Sequence, residues 1–173
     1  MGAGVPGHCI VLCGLPGSGK TTYAQQLVGE RAAVRLCSDE WMASLGLDLF
    51  DVPARARVDA LQQSFAIELV ARGLTVVYES GGWTRAEREA LRARVREVGG
   101  TIELIALDIP TDVLWSRLVE RNAEDRWATG RIEHADLLRW QAAFERPDAA
   151  EQAGYDARTG PAGWPRGGCS VGQ

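Results

Sequence analysis

A segment near the amino terminus has the residue types and spacing of a phosphate-binding loop. Residues 14–21, GLPGSGKT, fit the pattern G-x-x-x-x-G-K-[ST] without a mismatch. Small residues let successive backbone amides curl around an anion, the lysine can reach the β- and γ-phosphates, and the threonine hydroxyl can bind Mg²⁺. We expect nucleotide contacts from Gly14, Pro16, Gly17, Ser18, Gly19, Lys20, Thr21 and Thr22.

The lysine of this loop is the only one in the chain. The protein has 19 basic residues, and all except Lys20 are arginines. A compact ammonium on a flexible stem suits the phosphate-binding position. GTPases read guanine with an N/T-K-x-D segment, which would need a second lysine, so that class is excluded. The remaining candidates are a small kinase, in which Lys20 is also catalytic, and a nucleotide-binding ATPase or switch without a small-molecule acceptor.

A carboxylate that could act as a general base follows the second predicted strand. Asp39 comes two positions after the predicted strand at residues 33–37, and ligands of open α/β sheets bind at the carboxyl ends of the strands. Phosphoryl transfer needs a group there that orients an acceptor hydroxyl and takes its proton. The structural alternative is that Ser38 or Asp39 caps a short helix over residues 40–45. Spacing alone does not separate the two interpretations.

The elements that carry these candidate residues predict an α/β fold with three layers. Short apolar runs at residues 8–13, 33–37, 74–78 and 101–107 alternate with helical patterns, so the predicted order is βαβαβαβαα. Alternation of this kind predicts a mostly parallel sheet of four or five strands, covered on both faces by helices. Residues 1–150 are predicted to form one domain. Residues 151–173 are predicted to be a carboxyl-terminal tail.

Four segments together resemble the small P-loop kinases of the zeta-toxin, polynucleotide-kinase and chloramphenicol-phosphotransferase group. They are GLPGSGKTT, SDEW, VVYESGGWTRAEREALRARVREVGG and LIALDIPTDVLWSRLVERN, and the resemblance covers about residues 10–147. It implies a P-loop kinase fold with a small helical lid at about residues 122–133, ATP and Mg²⁺ as cofactors, and Asp39 as the general base. Relatives often carry aspartate where Glu79 stands, which leaves the role of Glu79 open.

Arginines near the implied lid are candidates for stabilising the transferred phosphoryl group. Arg117 and Arg121 are spaced i, i+4 and share one helix face, and Arg126 and Arg131 follow. Planar guanidinium groups suit the oxygens of a phosphoryl group. We expect Arg117 and Arg121 to be catalytic and Arg126 to contact the nucleotide. Solvated surface arginines are the structural alternative.

Composition and the absence of targeting patterns limit which partners and which cellular compartment we expect. At 173 residues with a formal net charge of −4, the chain lacks the basic footprint of a nonspecific nucleic-acid binder, so a nucleic-acid partner is not expected. It shows neither a signal peptide nor a membrane span. The cysteines do not have zinc-ligand spacing. We therefore predict a cytoplasmic protein with buried free thiols.

The predicted function is ATP-dependent transfer of a γ-phosphate to a hydroxyl of a small molecule. An antibiotic or nucleoside-like acceptor, as in self-resistance, fits the resemblance, and a nucleotide-sugar acceptor of the zeta-toxin type is a variant. Trp41, Trp83, Arg55 and Arg57 lie near the expected acceptor position, but packing or surface roles are open for each. The acceptor and the oligomeric state do not follow from the sequence.

Overall fold

The computed structural model describes residues 5–123 and 131–156, which form an α/β fold around a parallel sheet. Among these residues the sheet has four strands in the order β2-β3-β1-β4. The strands are β1 (His8–Cys13), β2 (Val34–Cys37), β3 (Thr75–Gly81) and β4 (Thr101–Ala106). The helices are α1 (Lys20–Arg31), α2 (Ser38–Ser44), α3 (Val52–Ala71), α4 (Arg85–Glu97), α5 (Thr111–Ala123), α6 (His134–Ala143) and α7 (Ala149–Gln152).

Strand β1 lies at the centre of the sheet because nearly all of its side chains are apolar and buried. It pairs in parallel with β3 on one side and with β4 on the other. Parallel strands of this kind need helices on both faces. One apolar cluster joins the sheet to α3 and α4, and a second joins it to α1 through Tyr23, Ala24 and Leu27. The three-layer α/β prediction is confirmed.

Helix α3 presents a partly different face to the sheet from the one its large apolar residues predict. Spacing favours a buried face through Val58, Leu61, Phe65, Leu69 and Arg72. Val58 and Leu69 are buried, but Leu61 is 65% exposed and Phe65 is 40% exposed. Gln62 and Ala66 are fully buried instead. Gln62 lies within hydrogen-bond distance of Ser38, and alanine allows close packing. The helix is therefore rotated toward the polar residues that follow β2.

The segment after residue 150 packs on the domain, contrary to the predicted boundary. Glu151 is buried, and Tyr155 belongs to the main apolar cluster. The Asp156 amide donates to Ile102 O at 2.8 Å, and its carboxylate accepts from Ile102 N at 2.7 Å. These bonds cover the exposed edge of β4. Residues 151–156 are thus part of the body, and residues 157–173 of the predicted tail lie outside the described residues.

The implied lid is described only at its two ends. Residues 124–130, which include Arg126, lie outside the described residues. The Asn122 side chain donates to Ile132 O at 2.8 Å and accepts from Ile132 N at 3.3 Å. These bonds hold the two ends of the segment together. Within the described ranges, every helix is too short or too polar to cross a bilayer.

Three of the four cysteines are buried and free, as predicted. Cys9, Cys13 and Cys37 line the interior of the sheet. Burial raises the pKa of each thiol to about 12, so all three stay protonated near neutral pH and behave as small apolar side chains. Cys169 lies outside the described residues.

Candidate functional site

The phosphate-binding loop connects β1 to α1 and depends on glycine for its shape. Gly14, Gly17 and Gly19 have φ angles of 151°, 84° and 93°, which other residues rarely adopt. A Cβ atom at Gly14 would lie 2.8 Å from Leu107 O. Leu15 anchors the loop by packing in the cluster formed by α5 and α6. The loop therefore has little freedom to change its path.

Two side chains of the loop have polar atoms that suit an anion. The Lys20 ammonium donates to Gly14 O at 2.8 Å and to Leu15 O at 3.1 Å. Burial lowers the pKa of Lys20, and the charges of Glu79 and Asp39 raise it part of the way back. The Ser18 hydroxyl is buried and has no hydrogen-bond partner within the part of the chain that the structure describes. Thr22 is exposed in the first turn of α1.

Thr21 and Glu79 form a pair of oxygen ligands next to the loop. The Thr21 hydroxyl donates to Glu79 Oε1 at 2.5 Å, which leaves its lone pairs free for a cation. The second oxygen of Glu79 accepts from Arg35 at 2.8 Å, and Arg35 also bonds to Glu40 at 2.8 Å. Glu79 is thus held in place from two sides. The sequence left the role of Glu79 open, and only its hydrogen bond with Thr21 places it beside the phosphate-binding loop.

Asp39 does not cap α2 and is paired with Arg55 instead. Helix α2 has Cys37 at its N-cap and no side-chain cap bond. Instead, Asp39 Oδ1 accepts from Arg55 Nη1 at 2.8 Å, and the Asp39 side chain is 53% exposed. The Asp39 charge raises the pKa of both Lys20 and Arg121, so the three groups lie within electrostatic range. Capping is therefore ruled out as the reason for an aspartate here.

The two predicted arginines of α5 lie near the phosphate-binding loop and Asp39. Arg117 Nη1 donates to Gly17 O at 3.2 Å. Burial lowers the pKa of Arg121, and Asp39 opposes that shift. The helix packs through Leu114 and Leu118 against the loop residue Leu15. The structure thus brings Lys20, Asp39 and Arg121 to one side of the sheet.

Sequence reasoning missed a polar network between α2 and α3. Ser38 contacts Asp59 in a short hydrogen bond, and its hydroxyl lies 3.1 Å from the Gln62 amide oxygen. One hydroxyl has one proton, and the Gln62 nitrogen is buried without a partner among the described residues. Turning the amide over lets that nitrogen donate to Ser38, which then donates to Asp59. The sequence offered one signal for this network, because Asp59 lies one helical turn after Arg55.

A cavity of about 270 Å³ lies beside this network, between α3, β3 and α4. Asp59, Gln63, Tyr78, Ser80 and Glu87 are among the residues that line it. It adjoins the carboxyl end of β3, where ligands of such sheets bind. Its size is at the low end of small-molecule pockets. The cavity is the candidate acceptor site.

The tryptophans proposed for acceptor stacking have packing roles. Trp83 lines the cavity, but its ring makes edge contacts with Trp140 and Phe144 at centroid distances of 6.4 and 6.2 Å. Trp41 packs against Phe65 at 6.4 Å. Both side chains are partly buried in apolar clusters. Trp83 is therefore one wall of the cavity, held by its neighbours.

Comparison with known proteins identifies the family to which the chain belongs. The chain matches the AAA domain family over residues 9–147, which is most of its length. The chain belongs to this family. The matched range includes the phosphate-binding loop, Asp39, Asp59, Glu79 and the described part of α5.

Individual relatives of this AAA-domain chain include proteins named as kinases. It is 29% identical over 138 residues to "Adenylate kinase" of Jannaschia sp. (strain CCS1), covering 73% of this chain and 72% of that protein. A gluconokinase structure from Sinorhizobium meliloti 1021 superposes with a TM-score of 0.61 at 22% identity, covering 87% of this chain and 81% of the other. The kinase names support the prediction of an ATP-dependent kinase.

A third relative extends the comparison to RNA repair. The structure of the Pnkp1/Rnl/Hen1 RNA repair complex superposes with a TM-score of 0.71 at 18% identity, over 89% of this chain. The match covers 48% of that chain, so this protein spans about half its length. Together with the family match, these structures confirm the P-loop kinase fold and the group that the sequence resembles.

The unique lysine allows a direct test of the loop. An amine-acylating reagent at limiting concentration is expected to modify Lys20, because its lowered pKa increases the neutral, nucleophilic fraction. ATP at about 100 times its Kd leaves about 1% of sites free, so modification should slow about 100-fold. Peptide mass spectrometry measures the rate of Lys20 modification with and without ATP, with the α-amine as the internal reference. Equal rates with and without ATP would contradict phosphate binding at this loop.

Proposed function

We propose that the protein is an ATP-dependent kinase that transfers the γ-phosphate to a hydroxyl of a small molecule bound in the cavity between α3 and α4. One observation carries the proposal. Lys20, Asp39 and Glu79 follow or end three neighbouring parallel strands, so phosphate-binding, proton-accepting and cation-binding groups meet at one edge of the sheet. An acceptor hydroxyl in the cavity would approach the γ-phosphate from the side of Asp39.

The donor half of the reaction uses the loop and the start of α1. Backbone amides and the partial positive charge of the helix amino terminus would hold the phosphates. Lys20 would exchange its bonds to Gly14 O and Leu15 O for the β- and γ-phosphate oxygens. The buried Ser18 hydroxyl would gain a partner on the same anion.

The Thr21–Glu79 pair fits Mg²⁺, the cofactor that the sequence predicts. Hydroxyl and carboxylate oxygens are the ligands this ion prefers, and in such enzymes it keeps few protein ligands because substrate phosphates and water supply the rest. Among the described residues there is no cluster of three or more metal-ligating side chains. Thr21 would bind the ion, and Glu79 would orient the Thr21 hydroxyl. When bound, the ion would neutralise charge on the phosphates.

The acceptor half uses Asp39 as the general base. Arg55 holds one carboxylate oxygen, which leaves the other to accept the proton of the acceptor hydroxyl. The hydroxyl oxygen then bonds to the γ-phosphorus while the bond to the β–γ bridging oxygen breaks, and ADP leaves. Arg117 and Arg121 would stabilise the charge of the transferred group. Arg126 is proposed to contact the nucleotide from the lid.

The choice of acceptor follows from the family resemblance rather than from a contact in the structure. An antibiotic or nucleoside-like molecule is the acceptor we propose, with a nucleotide sugar as the variant and an acceptor-free ATPase as the competing class. The buried free thiols are consistent with the predicted cytoplasmic location.

Transfer of labelled phosphate from ATP to a panel of antibiotics and nucleosides tests the proposal. We expect one or more acceptors to become labelled and Lys20→Ala to lower kcat/KM by about 10²- to 10³-fold, as for the loss of one preorganised donor. Glu30→Gln, at the exposed end of α1, is the matched control and should keep full activity. Steady ATP hydrolysis with no acceptor labelled would favour the ATPase class instead.

A further inference from the structure

The described walls of the cavity between α3 and α4 carry two carboxylates, Asp59 and Glu87, and one arginine, Arg88. Burial raises the pKa of the Asp59 carboxyl, and the charge of Glu87 adds to that shift. Burial is the largest cause of that raised pKa. A carboxylate that is partly desolvated in this way gains from a ligand that donates hydrogen bonds or carries positive charge.

The arginine that lines the cavity is already committed. Arg88 binds both oxygens of Glu151 at 2.6 and 2.8 Å, and it donates to Gly82 O at 2.7 Å. Its charge is therefore neutralised from behind the cavity wall. Arg55, which also lies near Asp59, is paired with Asp39. Arg88 is the only arginine among the described residues that line the cavity, so an anionic acceptor would meet Asp59 and Glu87 without an unpaired guanidinium on the cavity walls.

A second observation indicates that the cavity binds a polar ligand. The Tyr78 side chain lines it and is 1% exposed, but its hydroxyl makes no hydrogen bond to the described residues. Burial raises its pKa to about 12, while nearby Ser80 and Gln63 oppose that shift. The phenol is thus a neutral donor and acceptor close to Ser80 and Gln63, and all three groups face the same cavity walls. Ser80 and Gln63 add further hydroxyl and amide groups to the same walls.

We propose that the cavity selects a neutral or cationic acceptor with several hydroxyl or amino groups, and that Asp59 is the residue that recognises it. The acceptor would donate to the free oxygen of Asp59, while Ser38 holds the other oxygen. Ser38 immediately precedes Asp39, so recognition takes place next to the base. A volume of about 270 Å³ equals that of roughly nine water molecules, enough for one sugar-sized ring. This inference rests on the proposed kinase function.

Acceptors that are similar in structure but differ in charge test this selectivity. Labelled ATP is supplied with the full-length protein and with glucose, glucosamine, glucose 6-phosphate, gluconate, adenosine, AMP or an oligonucleotide with a free 5′-hydroxyl. We expect transfer to neutral or cationic members, with kcat/KM at least about 10-fold below theirs for the anionic counterparts, since a charge-assisted hydrogen bond is lost. Preferential labelling of AMP, gluconate or the oligonucleotide would overturn the inference and leave the kinase function standing. No labelling of any member would count against both.

Variants of Asp59 separate recognition from folding. Asp59→Asn keeps an oxygen that accepts from Ser38 but removes the charge, so kcat/KM for a cationic acceptor should fall about 10- to 100-fold, and by less for a neutral one. Asp59→Glu should recover part of the loss. Glu68→Gln, an exposed change on the same helix, should leave every ratio unchanged. Calorimetric titration with glucosamine and with gluconate gives a second readout. An unchanged ratio of cationic to neutral acceptors in Asp59→Asn would refute the role of Asp59.

Discussion

Replacing Asp39 with asparagine is expected to slow phosphoryl transfer by about 10²- to 10⁴-fold, the usual contribution of a positioned general base. The amide keeps the shape of the side chain and an oxygen for Arg55, but it cannot take the proton of the acceptor hydroxyl. The Asp39 side chain is 53% exposed, and an exposed ion pair contributes at most about 1 kcal/mol to stability. The fold should therefore survive the change, and ATP binding should stay close to normal.

Single-turnover transfer from labelled ATP measures this effect without interference from product release. Asp48→Asn is the matched control, because Asp48 is an exposed carboxylate after α2 whose hydrogen bond to Phe50 N an asparagine can also accept. That control should transfer phosphate at the normal rate. Transfer at the normal rate in Asp39→Asn would show that Asp39 is not the general base. Its role would then be limited to the ion pair with Arg55.

The donor half of this site could be predicted from sequence because it is local. The loop, the strand before it and the helix after it are consecutive, and glycine at residues 14, 17 and 19 has a direct conformational reason. Arg117 and Arg121 could be placed on one face from their spacing alone. The capping box of α4 was also readable, since Thr84 and Glu87 are three residues apart and make both bonds.

The acceptor half could not be predicted because it is assembled from distant segments. Asp59 on α3, Tyr78 on β3 and Glu87 on α4 come together only in the folded chain. Apolar periodicity also gave only part of the buried face of α3: Val58 and Leu69 are buried as it predicts, but it counts Leu61 as buried and ignores Gln62. A buried glutamine with a hydrogen-bond partner breaks the rule on which that pattern depends.

The carboxyl-terminal segment was misread for a similar reason. A short polar helix after a faded pattern resembles a tail, and glutamate is rarely buried unless it is paired. Here Glu151 is paired with Arg88, and Tyr155 lies under the Arg92 guanidinium at 5.2 Å from its ring centroid. The partner of the buried charge is 63 residues away in the chain, so no local pattern could reveal it.

Replacing Glu151 with glutamine is expected to lower the free energy of unfolding by about 3–5 kcal/mol, because it leaves the Arg88 guanidinium buried without a counter-charge. Both side chains are 1% exposed, and their two hydrogen bonds form a bidentate pair. Burial alone would lower the pKa of Arg88, but the hydrogen bond and charge of Glu151 outweigh it and raise that pKa. A loss of this size is a large part of the roughly 5–15 kcal/mol that stabilises a typical domain.

Urea unfolding measures the loss, and two further variants identify its cause. Glu89→Gln breaks an exposed pair with Arg85 and should leave the unfolding midpoint unchanged. Arg88→Met combined with Glu151→Leu removes both charges and should recover much of the loss, because apolar residues can replace a buried ion pair. If the double variant were as unstable as Glu151→Gln, the unpaired charge would not be the cause. Glu151→Gln keeps the hydrogen bond from Arg88 to Gly82 O, so the loss of that bond affects only the double variant.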